Sequence, residues 1–172
     1  TQALIEMPNT DTRESPLING IQNSTEESPI LLFPTHYLGN FVLGLPWVLK
    51  VLSVRPEALV VLDARFGPLA RLILPEHSRL ILYPRQEMEA GEPFFSRLLH
   101  YCRFLTALRG TDSQVILDLE GERFTGILAR LSGSPVRIGP MMKRAECFYT
   151  EIRHLNYQNH RFNAFGEIVS DF

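Results

Sequence analysis

The fold is decided by Pro29 to Val54, PILLFPTHYLGNFVLGLPWVLKVLSV. Ile30 to Phe33 is a short apolar run that breaks at Pro34. The chain then turns through Thr35, His36, Tyr37, Leu38, Gly39 and Asn40, and Phe41 to Val54 is apolar almost throughout. A short apolar run, a glycine-containing turn and a longer apolar segment read as strand, loop and helix, the opening unit of an α/β sheet. In such sheets ligands sit beyond the carboxyl ends of the strands, where loops meet helix N-termini whose unpaired N–H groups favour anions. The Thr35 to Asn40 loop is therefore the first candidate site, with Asn40 also suited to cap the helix. Pro46 should kink this helix or shorten its first turn, and Arg55-Pro56 should end it.

Downstream, the pattern repeats. Ala58 to Leu62, Arg79 to Tyr83, Gln114 to Leu119 and Pro135 to Ile138 read as further strands. Leu69 to Leu74, Pro93 to Leu108 and Gly121 to Leu131 read as helices, the second with Phe94, Leu98, Cys102, Leu105 and Leu108 on one stripe. The strands are apolar along their length rather than at alternate positions, as expected of parallel strands covered on both faces. The expected class is α/β, with a mostly parallel sheet, helices on both faces and right-handed crossovers.

Composition narrows the function. The 172 residues suit one domain, 45% hydrophobic content is that of a globular protein, and a net charge of −2 predicts no attraction to nucleic acid. Cys102 and Cys147 have no metal-ligating partner at short spacing and read as two free thiols of a reduced, cytoplasmic protein. No run reaches the roughly 18 apolar residues that span a bilayer. Residues 1–28 are polar, acidic and without period, and read as a flexible leader.

The chain lacks a dinucleotide-binding glycine motif, a Walker A loop, a nucleophile elbow and a His-Glu-x-x-His pair. His36, His77, His100, His154 and His160 show no ligand spacing, so neither a metal nor another cofactor is expected. Polar residues instead gather at strand ends: Thr35, His36 and Asn40 after the first, Asp63 and Arg65 after the second, and Asp118, Glu120 and Arg123 around the fourth. A parallel sheet would bring all of them to one edge. Asp118 and Asn40 each have a plainer reading as helix caps. Toward the C-terminus, Arg137, Lys143, Arg144, Arg153 and Arg161 outnumber Glu146 and Glu151, which suggests either a solvated face or an anion-binding rim.

At these residues the chain resembles the glycosyltransferase family 9 proteins, the heptosyltransferases of lipopolysaccharide core synthesis. The resemblance lies in Thr35-His36-Tyr37-Leu38-Gly39-Asn40 before an apolar helix, in Arg65-Phe66-Gly67-Pro68-Leu69, and in Asp118-Leu119-Glu120-Gly121. It continues through Ile127 to Gly133, Arg137-Ile138-Gly139, Lys143-Arg144-Ala145-Glu146 and Phe148-Tyr149. It implies one half of a GT-B architecture, in which two Rossmann-like domains face each other across a cleft. Residues 29–155 would form the N-terminal, acceptor-side domain, and residues 156–172 a helical segment leading toward a donor domain outside this chain. The implied partners are a nucleotide-sugar donor, held by that other domain, and an anionic sugar-lipid acceptor. The implied location is cytoplasmic, with peripheral contact at the inner face of the bacterial membrane.

The resemblance implies acceptor-binding roles for Thr35, Gly39, Asp118, Glu120, Gly121, Arg123, Lys143 and Arg144. The catalytic position falls on Asn40, where the family carries an aspartate acting as general base. An amide cannot take the acceptor proton, so His36 in the same loop becomes the alternative base. Glu120 replaces a commoner neutral residue, and Arg123 lies one position from the family's basic residue. Two further readings are a catalytically degenerate GT-B-like binding or assembly module and an unrelated nucleotide-binding domain. The second has no phosphate loop to support it.

Overall fold

The computed structural model describes residues 29–88, 93–155 and 161–170. The expected leader over 1–28 lies outside the described residues, as do His160 and the C-terminal Phe172.

Strands β1 (Ile30–Phe33), β2 (Leu59–Asp63), β3 (Arg79–Tyr83), β4 (Val115–Asp118), β5 (Val136–Pro140) and β6 (Glu151–Arg153) form one sheet, and every pairing in it is parallel. Its order is β3-β2-β1-β4-β5-β6. The chain winds outward from β1 to one edge, then crosses back over β1 to place β4 on its other side. Ile30 pairs with Leu59 in β2 and with Ile116 in β4, so β1 is the centre of the sheet. All of β1, β2 and β4 is buried, as their unbroken apolarity requires.

The helices are α1 (Leu38–Val54), α2 (Gly67–Ile73), the short α3 (Arg85–Met88), α4 (Phe94–Arg109), α5 (Arg123–Ser132) and α6 (Arg161–Ile168). One layer consists of α1, α2 and α6: Phe41, Val48, Val51, Ala70, Phe165 and Ile168 close over Leu31, Phe33, Val60 and Leu117. The opposite layer consists of α4 and α5, where Phe104, Leu108, Leu128 and Ala129 cover Ile30, Leu32, Val61 and Ile116. The alternating sides of β1 thus serve two separate cores. Phe165 meets Phe33 edge to face at 5.4 Å, which seals α6 onto the sheet beside α1.

The structure differs from the sequence reading in several places. Helix α1 begins at Leu38, inside the expected loop, and continues through Pro46 to Val54. Pro46 lies in the middle of the helix and is exposed, so its ring faces away from the sheet. Tyr37 is the N-cap, not Asn40, and contributes no side-chain hydrogen bond. The expected stripe on α4 is also corrected: Phe94, Leu98 and Cys102 are exposed, and the face on the sheet is Phe104 and Leu108, flanked by Tyr101 and Leu105. Strand β6 and helix α3, each shorter than five residues, had no readable period.

Candidate functional site

A parallel sheet whose chain leaves β1 in opposite directions opens a crevice at the carboxyl ends of the two central strands. Here that switch point falls between the segment after β1, Pro34 to Tyr37, and the segment after β4, Leu119 to Glu122. The Leu119 N–H donates to the Leu32 carbonyl at 3.0 Å, so the two strands stay joined up to the mouth.

On the β1 side Pro34 and Thr35 are buried while His36 is half-exposed. The Thr35 hydroxyl accepts from the Tyr37 N–H at 3.3 Å, which tightens the turn into α1. The His36 ring lies 3.7 Å from that of Tyr37, centroid to centroid. Gly39 is exposed, and a Cβ there would meet nothing within 4 Å. Asn40 occupies the first turn of α1, half-buried. His36 and Asn40 therefore share the helix N-terminus, a position that favours negative charge through its unpaired N–H groups.

On the β4 side Asp118 is fully buried. One carboxylate oxygen accepts from the N–H groups of Glu120 and Gly121, both at 3.0 Å. The other accepts from the Tyr149 hydroxyl at 2.6 Å. Burial pushes this carboxyl up to about 6, against the hydrogen bonds of Thr125, Tyr149, Gly121 and Glu120 that favour its charged form. Asp118 is not the cap of α5. Glu122 is, through a capping box with Thr125. Asp118 folds the loop back on itself, which leaves Glu120 buried and Gly121 half-buried just past β4.

Gly121 needs its missing side chain. Its φ is +68°, and a Cβ there would run into the Pro140 ring at the end of β5. Gly139 on β5 lies flat against the Tyr149 ring, which would collide with any Cβ. The Asp-x-Glu-Gly and Arg-Ile-Gly segments are thus two sides of one packed joint. Arg137 belongs to its frame: its guanidinium donates to the carbonyls of Phe148 and Ser134, at 2.7 and 2.8 Å.

This corrects the anion-binding rim. Arg137 is bound to backbone carbonyls, and Arg153 pairs with Glu151 at 2.6 Å. Lys143 and Arg144 remain as exposed cations beyond β5, with Arg144 in the left-handed region at φ 63°. Arg123 is exposed at the start of α5, close in sequence to the crevice.

Asp63 and Arg65, expected at the edge, form the neighbouring wall. Asp63 is completely buried, and Arg65 holds it with two guanidinium hydrogen bonds at 3.0 Å. The sequence reading missed Arg85. It donates to Asp63 at 2.7 Å and to the Pro34 carbonyl at 2.7 Å, and so ties the end of β3 to the loop after β1. Its signal was close to the one used for the others, a polar residue just past a strand end, and Tyr149 had no such signal. Burial pushes the Asp63 carboxyl up, but the Arg65 and Arg85 hydrogen bonds together hold it below its ordinary value. Among the described residues no cluster of histidine, cysteine or carboxylate side chains could hold a metal ion, and no helix is long and apolar enough to cross a membrane.

Sheet order defines a Rossmann-like domain whose topological switch point lies between β1 and β4. Solved structures that share this fold include glycosyltransferases. An Escherichia coli heptosyltransferase WaaC solved with ADP superposes with a TM-score of 0.63 at 20% identity, over 83% of this chain and 46% of that one. The glycosyltransferase family 9 protein of Veillonella parvula gives 0.66 at 15% identity, over 84% and 40%. The E. coli ADP-heptose lipopolysaccharide heptosyltransferase II gives 0.62 at 14%, over 83% and 40%. No protein-family model matches the sequence, and no curated protein matches it. The chain spans less than half the length of these structures. It has the fold of one Rossmann-like half of a GT-B glycosyltransferase of the family 9, heptosyltransferase type.

Proposed function

We propose that this chain is the N-terminal, acceptor-side half of a family 9-like glycosyltransferase. The intact enzyme would transfer a sugar, heptose, from an ADP-sugar to an anionic lipopolysaccharide core-type acceptor at a membrane surface. The observation that supports this reading is the sheet order, which puts the segments carrying His36 and Asn40 after β1 and Glu120 and Gly121 after β4 at the switch point of a fold shared with solved heptosyltransferases.

Transfer by single displacement needs a base beside the acceptor hydroxyl and a counter-charge for the departing diphosphate. On this chain the base position lies in the first turn of α1. Asn40 can orient a hydroxyl through its amide but cannot remove its proton. His36, one turn of backbone earlier and half-exposed, has an imidazole suited to do so. Thr35 and Gly39 shape the turn, Glu120 and Gly121 line the opposite wall, and Arg123, Lys143 and Arg144 supply positive charge for an anionic acceptor. Asp118 acts through the Gly121 loop. The donor and its diphosphate trap belong to a second domain.

A second reading is favoured by Asn40 itself: a degenerate GT-B-like module that binds the acceptor or assembles with a partner. Transfer from ADP-heptose by the intact native protein separates the two. Activity lost in His36→Ala supports an enzyme with a relocated base. Absent activity that appears in Asn40→Asp supports a decayed one. Absence of transfer in wild type and in both variants overturns the transferase reading and leaves the binding module.

A further inference from the structure

The sheet ends in two unlike edges, β3 on one side and β6 on the other. A strand at a sheet edge leaves a row of N–H and C=O groups open, and proteins guard such rows with short strands and charged side chains. Strand β6 is guarded in this way: it is three residues long, and Glu151 and Arg153 form an ion pair along it. Strand β3 is not. It runs five residues, Arg79–Tyr83, and from Leu80 to Tyr83 it carries no charge and no proline. Its register with β2 is unbroken, so no bulge twists it away. Among the described residues no strand pairs with its outer side. The central strands are buried, whereas Leu80 and Ile81 are half-buried and Leu82 is 38% exposed.

A second copy of this chain fits this edge. Two antiparallel β3 strands related by a two-fold axis at Ile81 pair Leu80 of one copy with Leu82 of the other and Ile81 with its own counterpart. Apolar residues then meet apolar residues on both faces of the sheet. Arg79, the only charge in the strand, falls opposite Tyr83 and not opposite itself. The flanks are complementary as well. Arg71 and Glu76 line one cleft with Leu80 at the amino end of β3, where Arg71 and Arg79 are exposed and outnumber Glu76. Past the carboxyl end Glu87 is exposed, while Arg85 is engaged by Asp63. Glu89 and Glu92 follow in sequence with the same sign as Glu87. The two-fold brings these unlike ends together.

We propose that β3 is a dimerisation edge, through which two copies of the chain join by antiparallel β3 strands so that their sheets continue into one. The contact is the same patch on both copies and uses up the open edge of each. The edges left outside are the two guarded β6 strands, so assembly stops at the dimer and does not run on into a filament. Main-chain hydrogen bonds between the strands hold the contact, with the Leu80, Ile81 and Leu82 pairs closing over them. The inference rests on β3 and its flanks alone and holds whether or not the chain takes part in sugar transfer.

The test is sedimentation equilibrium of the full chain across a concentration series, with amide hydrogen exchange of β3 at each concentration. A reversible dimer is expected, and exchange at Leu80, Ile81 and Leu82 should slow as its fraction rises. Leu82→Lys puts a charge into two cross-strand pairs and should weaken the dimer about tenfold. A disulfide reads the register. In a Cys102→Ser, Cys147→Ser background, Ile81→Cys sets two thiols opposite each other, their Cα atoms about 4.5–5.5 Å apart and within disulfide reach. Mild oxidation should link the copies through Ile81→Cys and not through Leu80→Cys, which faces Leu82. A chain that stays monomeric at every concentration overturns the proposal. So does a dimer that leaves β3 exchange unchanged, or one whose folded Ile81→Cys variant does not link. Slow exchange at Leu80 to Leu82 already in the monomer would also overturn it and assign the edge to another segment of this chain.

Discussion

The Tyr149 hydroxyl donates to the Asp118 carboxylate at 2.6 Å, thirty-one residues away in sequence and fully buried. This contact joins the loop after β4 to the segment after β5, and through it the crevice wall depends on a ring packed flat against Gly139. Tyr149→Phe keeps the ring and removes the donor, leaving a buried acceptor partly unsatisfied. The expected loss is about 1–3 kcal/mol in denaturant unfolding, with faster amide exchange at Glu120 and Gly121. Unchanged stability would mean that the loop holds itself.

The same carboxylate fixes a pH dependence. Folding raises Asp118 from 3.8 to about 6, so its protonated form is favoured in the folded state. Its contribution to stability is therefore complete below 3.8 and lost as pH rises through about 6. Across that window unfolding free energy should fall by about 1.4 kcal/mol per pH unit at most. Asp118→Asn, which cannot ionise, should flatten this slope in urea titrations made between those pH values; an unaltered slope would assign it to other groups.

Asp63 acts with the opposite sign. Its carboxyl is held below its ordinary value, so its contribution is present above 3.8 and lost as pH falls through the lowered pKa. Asp63→Asn removes the charge that holds Arg65 and Arg85. The expected cost near neutral pH is about 2 kcal/mol, less than for a fully buried pair because both guanidinium groups keep solvent access. Arg85→Leu should in addition loosen the Pro34 carbonyl, seen as faster hydrogen exchange at His36 and Tyr37.

Gly121 and Gly139 should tolerate no side chain. Gly121→Ala combines a left-handed backbone with overlap on Pro140, and Gly139→Ala meets the Tyr149 ring. Each should cost about 1–3 kcal/mol by thermal or chemical unfolding. Gly39→Ala, where a Cβ meets open space, should fall within about 0.5 kcal/mol of wild type. Equal effects at all three would contradict the packed joint.

Much of the architecture was legible because parallel strands covered on both faces write themselves as unbroken apolar runs, as in Leu59 to Leu62. Burial of one face of α4 was legible, but not which face. Its apolar residues are numerous enough to fit two stripes, and only packing in the assembled fold decides between Phe94 and Phe104. The start of α1 was misplaced because Tyr37 gives no capping signal, while Asn40 two residues after Leu38 gives a false one. At the site, polar residues at strand ends could be read off, including Asp63 and Asp118. Their partners could not: Arg85 and Tyr149 reach them only after the sheet is assembled. The segments that resemble family 9 proteins, Asp118 to Gly121 and Arg137 to Gly139, are here largely a packing joint.

Whether the crevice takes the acceptor is tested most directly by backbone amide NMR of this chain, titrated separately with a de-acylated lipopolysaccharide core oligosaccharide and with an ADP-sugar. The acceptor-side reading predicts saturable shifts from the oligosaccharide at Thr35, His36, Gly39, Glu120 and Gly121, and none from the ADP-sugar. Saturable shifts from the ADP-sugar at these positions, with none from the oligosaccharide, would contradict it and make this the donor-binding half.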